Sequence, residues 1–277
     1  MEISRHICFR REDAPELADY LTYHGIAGAG ALGIITLDIL ESDPHYFFIW
    51  NIVQQKHLSY LSETIFTKEE LRGAAWLRVR SQWRFGYPQP EAAFEYDTIT
   101  YSPEDRCPKC NCGLKQVQPF RIKKVPKWGK RYFGELNWIG DELFLNDTAK
   151  EVLEKSGLTG IRFLEVQNKK GAEAFPDIHQ LQIPYLLEQG MPEDQGYIQK
   201  ANDCPACGRR KYVTSGVGML RLPANIFRNA PDFVKTAEYF GDGLYSTRTL
   251  ILSQQAYRVI TENKLDRGLV FEPIELV

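Results

Sequence analysis

Two short stretches of this 277-residue chain carry residues able to do metal chemistry: CPKCNCG at 107–113 and CPACG at 204–208. Between them they hold five of the six cysteines. In each, the Cys-Pro-x-Cys spacing lets one tight turn aim two sulfurs at a common point. Two such turns supply four thiolates, the number a tetrahedral zinc ion takes, with each sulfur about 2.3 Å from the metal. Four cysteines leave no open coordination position. The spacing therefore predicts one structural Zn2+ per chain, held by Cys107, Cys110, Cys204 and Cys207, with Cys112 an alternative to Cys110. Iron is the lesser alternative. A redox pair needs only one CxxC, in a thioredoxin-like setting. The long insertion between the turns costs little, because loop closure adds only about 0.6 kcal/mol per doubling of length. A structural zinc contributes on the order of 10 kcal/mol in small domains. Gly208 follows the second turn, where a positive φ is often needed, and Gly113 follows Cys112 in the first. Cys8, alone on a predicted strand, reads as a small core residue.

The elements that must position these turns fall into two stretches. Residues 1–100 read as an N-terminal lobe of mixed helix and strand. A strand is expected at 3–9, and a helix at 14–23 that Pro15 starts. The aromatic and β-branched run YFFIWNIV at 46–53 reads as a buried strand. Thr67 and Glu70 stand at capping-box spacing, so a helix is expected over 68–78. The break GYPQPE at 86–91 could end this lobe. Residues 101–277 then form the cysteine-bearing region. Within it, 143–166 and 250–274 share one pattern: a short apolar strand, an N-cap at Asn146 or Ser253, apolar positions at helical spacing, a glycine and a second strand. Each unit is β-α-β and each follows its own Cys-Pro-x-Cys, which points to a duplicated module. The fold class is α+β, an N-terminal lobe followed by two β-α-β repeats joined by a zinc-ribbon-like site.

Other signals are weaker. GAGALG at 28–33 matches a dinucleotide-binding spacing, but a helix-like stretch precedes it and a strand-like one follows, the reverse of what that motif needs. The stretch RIKKVPKWGKR at 121–131 is basic around an aromatic. Arg121, Lys123, Lys124, Lys127, Trp128, Lys130 and Arg131 would carry nucleic-acid binding, with Arg209, Arg210 and Lys211 beside the second turn. The chain as a whole has a net charge of −2, so no global field favours nucleic acid or an anionic membrane. His179 stands near Asp177 in sequence, but the five histidines form no ligand or catalytic spacing, and no P-loop, GxSxG or HExxH is present. No enzyme is expected. The charged start of the chain lacks a secretory apolar run, and no stretch is long enough to span a bilayer, so a cytoplasmic protein with reduced thiols is expected.

The two cysteine turns and the C-terminal LILSQQAYRVITENKLDRGLVFEPIEL resemble the double-CxxCG family of bacterial proteins, several of which are regarded as immunity proteins of polymorphic toxin systems. The resemblance covers roughly residues 100–277. It departs at the first turn, where glycine follows Cys112 and not Cys110. What it implies is a non-enzymatic binder whose partner is a protein toxin. Trp76, Trp83, Tyr87, Trp128 and Trp138 are the aromatic candidates for interface anchors.

Overall fold

The structure is a computed structural model. It describes the chain except residues 27, 29–32, 193–194 and 243–245 and the side chain of Lys200. The candidate glycine motif at 28–33 lies for the most part outside the described residues; α1 below precedes it and β2 follows it. Two compact units are present: residues 1–70 with 215–218, and residues 71–214 with 219–277.

The first unit is built from β1 (Glu2–Arg10), α1 (Pro15–Tyr23), β2 (Ile34–Leu40), α2 (Tyr46–Gln55) and β3 (Ser59–Ile65). The strands form an antiparallel sheet in the order β2-β1-β3. Ile7 and Phe9 pack there with Leu17 and Leu21 of α1 and with Ile49 and Val53 of α2. Residues 46–53 are thus helix, not the expected strand. The reason is in the spacing: Tyr46, Ile49, Ile52 and Val53 are buried along one helical stripe, whereas Phe47 and Phe48 next to them are exposed. The Asp43 carboxylate accepts the His45 N–H at 2.8 Å just ahead of the helix. Cys8 is half-buried on β1 rather than enclosed in the core.

The expected capping box forms. The Thr67 N–H donates to Glu70 at 2.8 Å, and the Glu70 N–H donates to the Thr67 hydroxyl at 3.1 Å. The helix it starts, α3 (Lys68–Gly73), is shorter than expected, because β4 (Trp76–Ser81) takes the following residues. In β4, Leu77, Val79 and Ser81 face inward, and Arg78 and Arg80 reach Glu272.

The second unit continues with α4 (Tyr96–Thr100), β5 (Tyr101–Ser102), β6 (Lys115–Gln116), β7 (Arg121–Ile122), β8 (Phe133–Gly134), β9 (Leu143–Leu145), α5 (Asp147–Lys155), β10 (Arg162–Asn168) and β11 (Ala174–Gln182). Then come β12 (Ile198–Asp203), β13 (Arg210–Thr214), β14 (Leu220–Leu222), β15 (Phe233–Lys235), β16 (Tyr239–Phe240), β17 (Leu250–Ser253), α6 (Gln254–Glu262) and β18 (Leu269–Leu276). Mixed helix and strand was expected, and both strand-helix-strand spans are present: β9-α5-β10 and β17-α6-β18. Asn146 and Ser253 cap their helices, each accepting the N–H three residues on at 3.1 Å.

Two five-stranded sheets hold these spans, in the orders β7-β10-β11-β9-β8 and β14-β18-β4-β17-β15. Strand senses match position by position. The outer β7 and β14 run parallel to β10 and β18, and every other pairing is antiparallel. Phe133 stands opposite Leu145 in one sheet, and Phe233 opposite Leu252 in the other. Only the source of the central strand differs: β11 follows its helix in the chain, whereas β4 lies far upstream. One apolar core draws on both sheets, with Leu77, Phe133, Leu145, Leu181, Phe233 and Leu252 packed against Leu153 of α5 and Ile260 of α6. The cysteine turns sit outside this core. One lies between β5 and β6, and the other between β12 and β13, two strands of the three-stranded sheet β12-β13-β16.

Candidate metal centre

Both cysteine turns are built by the same backbone bonds. In the first, the Asn111 N–H donates to the Cys107 carbonyl at 2.9 Å, and the Cys107 N–H to the Cys112 carbonyl at 2.9 Å. In the second, Gly208 donates to Cys204 at 2.8 Å, and Cys204 donates to the Arg209 carbonyl at 3.0 Å. Asn111 is therefore the counterpart of Gly208. Both are left-handed, with φ of +60° and +70°. Asparagine is one of the few side chains that enter this region readily. The first turn thus keeps the geometry of the second without a glycine directly after its second cysteine. Gly113 meets a different demand: its φ is +95°, and a Cβ there would collide with the carbonyl oxygen of Asp105.

These turns bring together the sulfurs of Cys107, Cys110, Cys204 and Cys207, all within 4.8 Å of one another. The Cys107–Cys204 distance is 3.8 Å and the Cys110–Cys207 distance 3.6 Å, between residues 97 apart in sequence. Neither is a disulfide, whose sulfurs lie about 2.05 Å apart. Both suit a shared ion, since four sulfurs bound tetrahedrally at about 2.3 Å lie about 3.8 Å from each other. Two of the four donors suit a metal in charge as well. Backbone N–H groups of Cys110 and Lys109 point at the Cys107 sulfur and pull its pKa down to about 6. The N–H groups of Ala206 and Cys207 lower Cys204 in the same way. Burial pushes Cys110 up.

Cys112 is buried beside the cluster, but its sulfur is not among the four that converge. Burial raises its thiol, and the charges of Lys211 and Arg209 oppose that rise.

Residues that spacing did not single out lock the turns together. Arg209, from the second turn, donates to the carbonyls of Cys112 and Asp105 in the first, at 3.3 and 3.4 Å, and bonds the Cys207 sulfur. The Tyr239 hydroxyl accepts the Gly113 N–H at 3.0 Å and a bond from Arg248 at 2.8 Å. The Arg248 guanidinium lies 4.5 Å from the Tyr239 ring centroid. A divalent ion with four thiolates would carry two net negative charges, which Arg209 and the buried Lys211 would offset.

An open cleft of about 620 Å³ adjoins the second turn, lined by Arg209, Arg210, Tyr212, Glu238, Tyr239 and Arg248. Most of its charged groups are engaged, although Glu238 Oε2 is buried with no hydrogen-bond partner among the described residues. Arg210 forms a two-pronged pair with Asp203 at 2.7 and 2.9 Å. Glu238 accepts the N–H groups of Gly190 and Met191 at 2.9 and 3.0 Å. Arg248 donates to the Thr236 and Ala237 carbonyls.

The basic stretch 121–131 is placed elsewhere in this unit. Arg121 opens β7, packed against Gly171. Lys123, Lys124, Lys127 and Lys130 are exposed, and none of them forms an ion pair among the described residues. Trp128 is half-buried, packed on Trp83 and Phe85, and donates to the Asp177 carbonyl at 3.3 Å. Arg131 lies over the Trp83 ring. His179 bonds Asp147 of α5 at 2.7 Å, not Asp177.

No helix among the described residues is long and apolar enough to cross a membrane. No protein-family profile matches the chain, and no curated protein matches it.

Proposed function

We propose that the protein is a non-enzymatic, zinc-stabilised binding protein of the cytoplasm, and that it neutralises a protein toxin as an immunity protein does. The observation that carries the zinc part is the convergence of Cys107, Cys110, Cys204 and Cys207 from two turns with one hydrogen-bond pattern. Four sulfur donors favour zinc, and closed coordination favours a structural ion. Reduced thiols suit a cytoplasmic setting. The non-enzymatic part is supported by the cleft, where Arg210, Arg248 and one oxygen of Glu238 are tied into the scaffold. The toxin part rests on the resemblance to double-CxxCG proteins. The matching order and senses of the two five-stranded sheets support a duplicated β-α-β module at 143–166 and 250–274, whose second copy takes its central strand from upstream. Co-expression with the toxin encoded beside this gene, followed by pull-down, tests the reading. Protection and a stable complex are expected; neither protection nor a complex would overturn it.

A second reading is nucleic-acid binding through the four exposed lysines of 121–131. It predicts a salt-dependent shift with DNA or RNA that is lost when Lys123, Lys124 and Lys127 are neutralised. No binding at low salt would end it.

A further inference from the structure

Residues 86–105 contain Glu91, Glu95, Asp97, Glu104 and Asp105 and no lysine, arginine or histidine. Asp97 is buried and paired with Arg106. The other four carboxylates are exposed, and none has an ion-pair partner among the described residues. Four aromatic rings stand in the same region. Tyr87 and Phe94 each lie 4.6 Å from the Trp138 ring, and Tyr96 stacks on it at 5.9 Å. Tyr87 and Phe94 are each 39% exposed.

This arrangement is held against the ordinary preference of the backbone. Ala93, Phe94 and Trp138 all have positive φ, at +48°, +59° and +69°. No glycine relieves them, and aromatic residues rarely occupy that region. Turn bonds fix it: Phe94 N–H to the Glu91 carbonyl at 3.3 Å, Glu95 to Ala92 at 3.0 Å, and Tyr96 to Pro90 at 3.0 Å. Arg106 connects it to the metal centre, bonding Asp97 on one side and Asn111 of the first cysteine turn on the other. The surface is therefore preorganised, and ordering it costs a ligand little.

We propose that Tyr87, Phe94 and Trp138, flanked by Glu91 and Glu95, form the docking surface for a basic, arginine-bearing segment of a partner protein. Guanidinium groups stack on aromatic faces and pair with carboxylates at the same time, which suits rings set among unpaired acids. The acidic rim repels nucleic acid, although this stretch adjoins the start of the 121–131 strip, where the Gln89 N–H donates to the Arg121 carbonyl at 2.8 Å. The inference deepens the binding-protein reading by naming the partner's chemistry.

Fluorescence anisotropy of a labelled, acetylated hexa-arginine peptide with the full-length protein tests it. Saturable binding is expected, tighter than that of hexa-lysine. Phe94→Ala should weaken it about fivefold or more. The isosteric pair Glu91→Gln/Glu95→Gln should weaken it roughly threefold or more, with zinc content and melting temperature unchanged. No binding would overturn the proposal. So would affinities that neither variant alters, or equal binding of hexa-lysine with Phe94→Ala silent. A concentration-dependent dimer abolished by the Glu91/Glu95 pair would also overturn it, since the occupant would then be the basic 121–131 segment of a second copy. Failure of the toxin pull-down with peptide binding intact would sink only the toxin reading.

Discussion

Asn111 shows how a single side chain keeps one cysteine turn in step with the other. Its left-handed backbone takes the place of Gly208. Asn111→Gly is expected to leave folding and metal content intact, whereas Asn111→Val should cost about 1–2 kcal/mol by denaturant unfolding, since a β-branched residue resists positive φ. Arg209→Ala removes the link from the second turn to the Cys112 and Asp105 carbonyls. It should weaken zinc binding about 10–100-fold in competition with a chromophoric chelator. Unchanged affinity would reduce Arg209 to a surface residue. The cysteines themselves were legible in the sequence, because CxxC spacing encodes the bite of a chelate directly. Asn111 was not, since the demand for positive φ comes from the turn's hydrogen bonds. Arg209 and Lys211 read as a basic surface; only the fold shows one bonded across the two turns and the other buried.

The two capped helices make a matched pair of tests. Asn146→Ala and Ser253→Ala each remove one side-chain acceptor from a helix N-terminus, and each should cost about 1 kcal/mol of stability in denaturant. A cost near zero at either would show that water replaces the cap there. These helices were legible from cap residues and 3.6-residue spacing together. The run at 46–53 was misread because nearly every position is apolar or aromatic, so composition spoke for a strand. The burial of Tyr46, Ile49, Ile52 and Val53, with Phe47 and Phe48 left in solvent, is what decides for helix. The helix at 68–73 was anticipated in its start but not its end, because the following residues are claimed by β17 and β18 from far downstream in the chain.

Within the second unit, the cysteine turns lie apart from the shared apolar core of the two sheets. Metal removal should therefore loosen the β12-β13-β16 sheet and the β5-β6 pair before the core. Hydrogen exchange after treatment with a zinc chelator should show early loss of protection at 101–116 and 198–214, with β9 and β17 protected longer. Uniform loss would mean that the centre and the core unfold together. The correspondence of the two sheets was only half legible: the strand-helix-strand spans share one pattern in sequence, but the central strand of the second sheet comes from upstream, where the alternation of Leu77, Arg78, Val79 and Arg80 marks a strand without marking its partners. A convergence of four sulfurs across 97 residues likewise needs the fold to be seen, although the two motifs predicted it.

Metal analysis of the purified protein, paired with sulfur-to-metal distances from X-ray absorption, tests the central claim most directly. About one zinc per chain is predicted, bound by four sulfurs at about 2.3 Å, lost in Cys204→Ser and retained in Cys112→Ser. A chain without metal, or one whose zinc is lost in Cys112→Ser and kept in Cys204→Ser, would contradict it.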